Sequence, residues 1–111
     1  MVFSPVSSRA RLIRYFRPSF ATLQKYLAPH TAVFRVADIG GVKGAFYLDT
    51  TALPENSFNI YRLIDEMVNR FAVPSDKVVI YGASKGGTGA VYHGIAGGWR
   101  YVAVDPILSD D

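Results

Sequence analysis

Residues 78–81 read Val-Val-Ile-Tyr, and residues 82–89 read Gly-Ala-Ser-Lys-Gly-Gly-Thr-Gly. A run of β-branched and aromatic side chains suits a strand covered on both faces, as parallel strands are. The abrupt change to small residues lets that strand turn sharply into a helix packed close behind it. This stretch therefore constrains the chain to a parallel α/β arrangement with a serine, Ser84, at the turn.

The rest of the chain fits that arrangement in order. Val2 and Phe3 read as a strand stub ended by Pro5. Residues 6–18 place Arg9, Arg11, Arg14 and Arg17 among Leu12, Ile13, Tyr15 and Phe16, and Pro18 stops any continuous helix. Ser19 is placed to cap a short helix over Phe20, Leu23, Tyr26 and Leu27, closed by Pro29. Residues 31–37 predict a strand ending at Asp38 and a Gly40-Gly41 turn, and residues 45–48 a short extended piece. Ile60, Leu63, Ile64, Met67, Val68 and Phe71 form one apolar stripe, predicting a helix over 57–72. A second helix is expected over 85–95, stopped by Gly97 and Gly98, and a last strand over 101–104, ended by Asp105-Pro106. Strands alternating with helices predict a three-layer αβα fold with a doubly wound parallel sheet, in a single domain spanning 1–111.

Composition excludes several function classes. Half of the 111 residues are hydrophobic and 14% aromatic, a globular composition rather than a disordered one. The absence of cysteine removes disulfides, thiolate metal sites and cysteine nucleophiles. No apolar run approaches the ~20 residues of a membrane span, and no secretory h-region is present, so no membrane span and a cytoplasmic location are expected. The net charge of +3 reflects the four early arginines, since the first acidic residue is Asp38. An Arg- and Ser-rich start also fits a transit peptide, but Met1-Val2-Phe3 before Ser4-Pro5 reads better as a strand and its end. The arginines beside Tyr15 and Phe16 suit contact with phosphate or acidic glycan, but no nucleic-acid motif accompanies them. Arg35, within an apolar strand, is expected to pair at the sheet edge, and Tyr92, Trp99 and Tyr101 to serve packing.

Gly82-Ala83-Ser84-Lys85-Gly86 matches G-x-S-x-G, a pattern that lifts a serine hydroxyl above a sheet beside helix N-terminal N–H groups. The order and spacing of the elements resemble the central part of the α/β-hydrolase fold over nearly the whole chain. Residues 2–4 take the place of that family's third strand, 19–27 its first helix, and 31–38 its fourth strand. Residues 57–72 correspond to the next helix and 78–87 to the nucleophile strand and elbow. The Ser-Lys-Gly-Gly-Thr-Gly run is further similar to bacterial proteins of capsule synthesis and accessory-secretion glycan acetylation.

The resemblance implies a serine esterase or acyltransferase acting on a small-molecule or glycan ester, with no cofactor and no metal. Ser84 would be the nucleophile and Asp105 the triad acid, with Gly82, Gly86 and Gly87 forming the elbow. The backbone N–H of Lys85 would donate to an oxyanion, with Val6 as the second donor, although Ser4-Pro5 stands where the family often has His-Gly. Lys85 opposes the macrodipole at a helix N-terminus, so its side chain is expected either to be solvated or to meet an anionic substrate group or pair with Asp38 or Asp105. The family's histidine follows its last strand, past residue 111, so the chain is expected to be about half of a hydrolase and inactive alone. His93 lies nine residues past Ser84, about 13 Å along a helix, too far for a base. His30 falls at the opposite edge of the strands.

Two other readings compete. The same glycines resemble the opening of the dinucleotide-binding turn of short-chain dehydrogenases, with Asp105 placed for a ribose, though Thr88 stands where that turn needs glycine. Alternatively, the chain is a truncated, non-catalytic interaction module that self-associates through an exposed edge at residues 101–104.

Overall fold

In a computed structural model, residues 1–5, 20–40 and 44–108 are described. The arginine-bearing segment, Ser19, Val6 and Gly41 lie outside them. The strands are β1 (Val2–Phe3), β2 (Arg35–Val36), β3 (Val79–Ala83) and β4 (Arg100–Val104). The helices are α1 (Asn56–Arg70) and α2 (Lys85–Gly97). The strands form one four-stranded, all-parallel sheet in the order β2-β1-β3-β4. The chain moves outward from β1 to β2, returns past β1 to β3, and continues to β4, so the sheet is wound in both directions.

Alternation along β3 sorts the layers. Ile80 and Gly82 face α1 and α2, where Phe3, Tyr47, Ile64, Val68, Ala90 and Trp99 close the core. Each large side chain fully removed from water there contributes about 1.5–3 kcal/mol. Tyr81 faces the other way and meets Phe20 edge-on at 5.1 Å between ring centroids. The 20–27 segment thus supplies the second layer of a small three-layer α/β fold.

Several elements differ from the sequence expectation for local reasons. The helix expected over 19–27 is, in its described part, a single 3-10 turn, Leu23–Tyr26, with no buried residue. Phe20 at φ 57 and extended Leu27 bound it, and Tyr26 is 82% exposed, so beyond the Phe20 contact its apolar residues stay largely outside the core. The strand expected over 31–37 pairs only at Arg35 and Val36, because its one neighbour, β1, offers two residues. Arg35 lies on this edge strand and donates to the Phe20 carbonyl at 2.9 Å. Residues 45–48 form a turn rather than an extended piece. The N–H groups of Ala45, Phe46 and Tyr47 all converge on the Asp38 carboxylate. Successive N–H groups of a strand point to opposite sides and cannot do this.

In α1 the buried line is Ile64 and Val68, with Ile60 and Tyr61 partly buried against the core, whereas Leu63 and Phe71 flank it and stay exposed. Asp49, from the preceding loop, accepts the Ser57 N–H at 2.7 Å and caps the helix that Glu55 leaves without a side-chain cap. The glycine stop of α2 falls at Gly98, whose φ of 68 gives the left-handed C-terminal cap.

Candidate active site

In an open parallel sheet, ligands bind beyond the carboxyl ends of the strands where the winding reverses. Here that point lies between β1 and β3. Ser4 follows β1, Ser84 follows β3, Asp38 follows β2 by two residues, and Asp105 follows β4. These four residues therefore share one edge of the sheet.

Ser84 has φ 53 and ψ −123, close to the first central position of a type II′ turn, where glycine is usual. Its N–H continues the sheet ladder to the Val104 carbonyl at 2.9 Å, while Thr88 N–H already bonds its carbonyl in helical fashion. One residue thus ends the strand and starts the helix. Among the described residues the Ser84 hydroxyl makes no hydrogen bond, and the residue is half-buried. The surrounding glycines are a steric necessity. A Cβ on Gly82 would overlap the Gly86 carbonyl, and one on Gly86 would stand 2.7 Å from the Phe3 carbonyl oxygen. A Cβ on Gly87 would stand 3.2 Å from both the Val104 carbonyl oxygen and Pro106 Cα.

Lys85 is wholly buried. Its Nζ lies 3.0 Å from Asp38 Oδ2, and Asp38 is itself 1% exposed. A lysine in the first turn opposes the helix macrodipole by about 0.3–1 kcal/mol, a cost that the facing carboxylate offsets. Removing one partner of such a buried pair leaves an uncompensated charge, typically about 3–5 kcal/mol. The Lys85 ammonium therefore ties α2 to the 44–47 loop through Asp38, whereas Asp105 is exposed. Gly44 (φ 94) packs directly over the pair, where any Cβ would collide with both charged groups. As the first residue of α2, Lys85 also has its backbone N–H at the helix N-terminus beside Ser84.

Of the other expected residues, Asp105 has φ 48 and stands directly after the Val104 carbonyl that receives Ser84 N–H. The second oxyanion donor, Val6, lies outside the described residues. The Ser4 N–H is already donated to Tyr47 Oη at 2.7 Å. His93 is fully buried on α2 with Nε2 2.8 Å from the Tyr47 carbonyl. A carbonyl only accepts, so Nε2 carries the proton and Nδ1 is left as a buried acceptor with no partner among the described residues. Burial lowers the His93 pKa below its ordinary 6.5. His30 is exposed before β2, at the opposite edge of the sheet. Neither histidine stands beside Ser84. No cluster of three or more possible metal ligands occurs among the described residues.

Tyr47 is the supporting residue that the sequence does not single out. It stacks on Phe3 at 4.0 Å, and its hydroxyl donates to the Val36 carbonyl while accepting Ser4 N–H. Burial pushes its phenol well above the ordinary value of 10, so it remains a donor. Its position in an irregular turn gives no periodic signal; only the neighbouring glycine, Gly44, hints at close packing.

No family model, curated protein or solved structure matches the chain.

Proposed function

We propose that the protein is a serine esterase or acyltransferase core with Ser84 as nucleophile. The observation that carries this reading is the Ser84 backbone, held in a conformation suited to glycine at the point where the sheet winding reverses. Such strain persists where the surroundings over-determine it, and it concentrates at functional positions. Ser84 Oγ would add to an ester carbonyl carbon while its proton passes to a base. The carbonyl oxygen would take the negative charge beside Lys85 N–H at the helix N-terminus. Collapse would expel the alcohol, protonated by the same base, and leave an acyl-serine for water or an acceptor hydroxyl. Asp105, on the same sheet edge, would orient that base. Neither histidine can serve as the base, so residues 1–111 alone are expected to react once with a strong phosphonyl electrophile, the Ser84 proton passing to water, but to turn over esters no faster than a Ser84→Ala variant. On the resemblance of the 84–89 run, the alcohol part of that ester would be a glycan.

The dinucleotide reading is less well supported. The segment after β4 lies against the first turn of α2, with Gly87 against Pro106 and Thr88 Oγ1 bonded to both the carbonyl (2.7 Å) and the N–H (3.0 Å) of Ile107. Fluorophosphonate labelling followed by peptide mass spectrometry tests the two together. The expected result is selective modification of Ser84, absent in Ser84→Ala and unaffected by NAD. Even labelling across the serines, or protection by NAD, would overturn the proposal. A non-catalytic interaction module is the second reading, favoured by the exposed apolar side chains of β4, Tyr101, Val102 and Val104.

A further inference from the structure

Thr88, Ile95 and the pair Val91 and Tyr92 between them are reached in steps of three and four residues, so they share one face of α2, and Ser84 is the N-cap one turn before Thr88. From Thr88 onward this face is the floor of an open groove of about 680 Å³. Phe46 and Leu48 form one wall, and Ile107 and Leu108 the other. The volume lies within the ~300–1,000 Å³ of small-molecule sites. Among the described residues the groove has three polar side chains, Asp49, Thr88 and the Tyr92 phenol, and is otherwise apolar. The Asp49 carboxylate accepts the Ser57 N–H, and the Thr88 hydroxyl is used in both directions by Ile107. A sugar would find the Tyr92 hydroxyl and the Asp49 carboxylate but otherwise apolar walls, and an anion would face the Asp49 charge. A hydrocarbon chain would cover Ile95 and Leu108, which are 68% and 71% exposed. The floor extends about 10 Å from Thr88 to Ile95 at ~1.5 Å per residue, and it starts one helical turn from the serine.

We infer that this groove holds the aliphatic acyl chain of the ester attacked at Ser84, making the substrate a medium- or long-chain acyl ester rather than an acetyl ester. The inference rests on the nucleophile reading above and narrows its substrate class. The N-cap of α2 would supply the reacting group and the face that begins one turn later the apolar track, so chain length would be measured from the carbonyl.

Two measurements on the 111-residue protein test it and separate its failure from that of the nucleophile reading. The first is the rate at which a methyl- and a dodecyl-fluorophosphonate modify Ser84. The dodecyl probe is expected to react about tenfold faster or more, the advantage of burying several methylenes. The difference should vanish in Ile95→Glu, a substitution at an exposed position that leaves the thermal midpoint unchanged. The second is binding of cis-parinaric acid, expected to saturate, to be displaced by laurate and not by acetate, and to weaken about tenfold in Ile95→Glu. Equal rates for the two probes would overturn the groove assignment while leaving Ser84 as nucleophile. Reaction with neither probe would overturn the nucleophile reading, and with it the ester, even if laurate binds. Loss of parinarate binding on self-association would assign the groove to a second copy of the chain and overturn the acyl site.

Discussion

Ser84 sets two residue-scale effects against each other. Its φ of 53 with ψ of −123 costs a residue bearing Cβ about 1–3 kcal/mol. Glycine would relieve that strain but lose about 0.5–1 kcal/mol more chain entropy on folding. Strain outweighs entropy, so Ser84→Gly should be about 1 kcal/mol more stable than the natural chain in urea unfolding. Ser84→Ala keeps the Cβ and should change stability little; both variants should lose fluorophosphonate labelling. A glycine variant less stable than the serine protein would show that the turn is not strained. The G-x-S-x-G spacing is legible in the sequence because a backbone approach this close admits only glycine at positions 82 and 86. The sequence leaves Lys85 open between solvent, an anionic substrate group and two aspartates, since its burial against Asp38 depends on the loop geometry that brings that carboxylate to the helix.

At the scale of elements, α2 and the 44–49 loop are joined by His93, whose Nε2 donates to the Tyr47 carbonyl. Burial depresses the imidazole pKa below 6.5, with the Tyr47 carbonyl and the Asp49 charge acting as smaller opposing influences. Between the folded and unfolded values the unfolded chain binds more protons, so stability rises with pH in that window. The contribution is complete above 6.5 and is lost as pH falls through 6.5 toward the lower folded value. Asp49, held below its ordinary 3.8 by the Ser57 hydrogen bonds, loses its contribution only in a more acidic window. The thermal midpoint should therefore fall between about pH 7 and about pH 5, where histidine titrates. It should fall less in His93→Gln, whose amide can still donate to the carbonyl but does not ionise. Equal slopes for the two proteins would place the acid sensitivity elsewhere. Nothing in the sequence marks this link, because His93 sits in the apolar, small-residue helix and its acceptor is a backbone carbonyl in an irregular turn.

For the whole molecule, the asymmetry of the sheet matters most. β3 is paired on both sides, but β4 is an edge strand with Val102 49% and Val104 47% exposed. Unpaired backbone groups beside apolar side chains favour strand addition. Light scattering across a concentration series should show self-association, and Val102→Lys, which places a charge on the edge, should shift the protein toward monomer. A monomer at all concentrations would argue against the edge as an interface.

The sequence by itself determined the strand-elbow-helix unit, the run of α1 and the parallel α/β class. These depend on local sterics and on side-chain periodicity, which a chain carries with it before folding. The tertiary structure alone decided that Asp38 would gather three N–H groups and Lys85, and that Tyr47 would brace β1 and β2. It also shortened β2 and unwound the expected 19–27 helix, because pairing length and burial are set by neighbours distant in sequence.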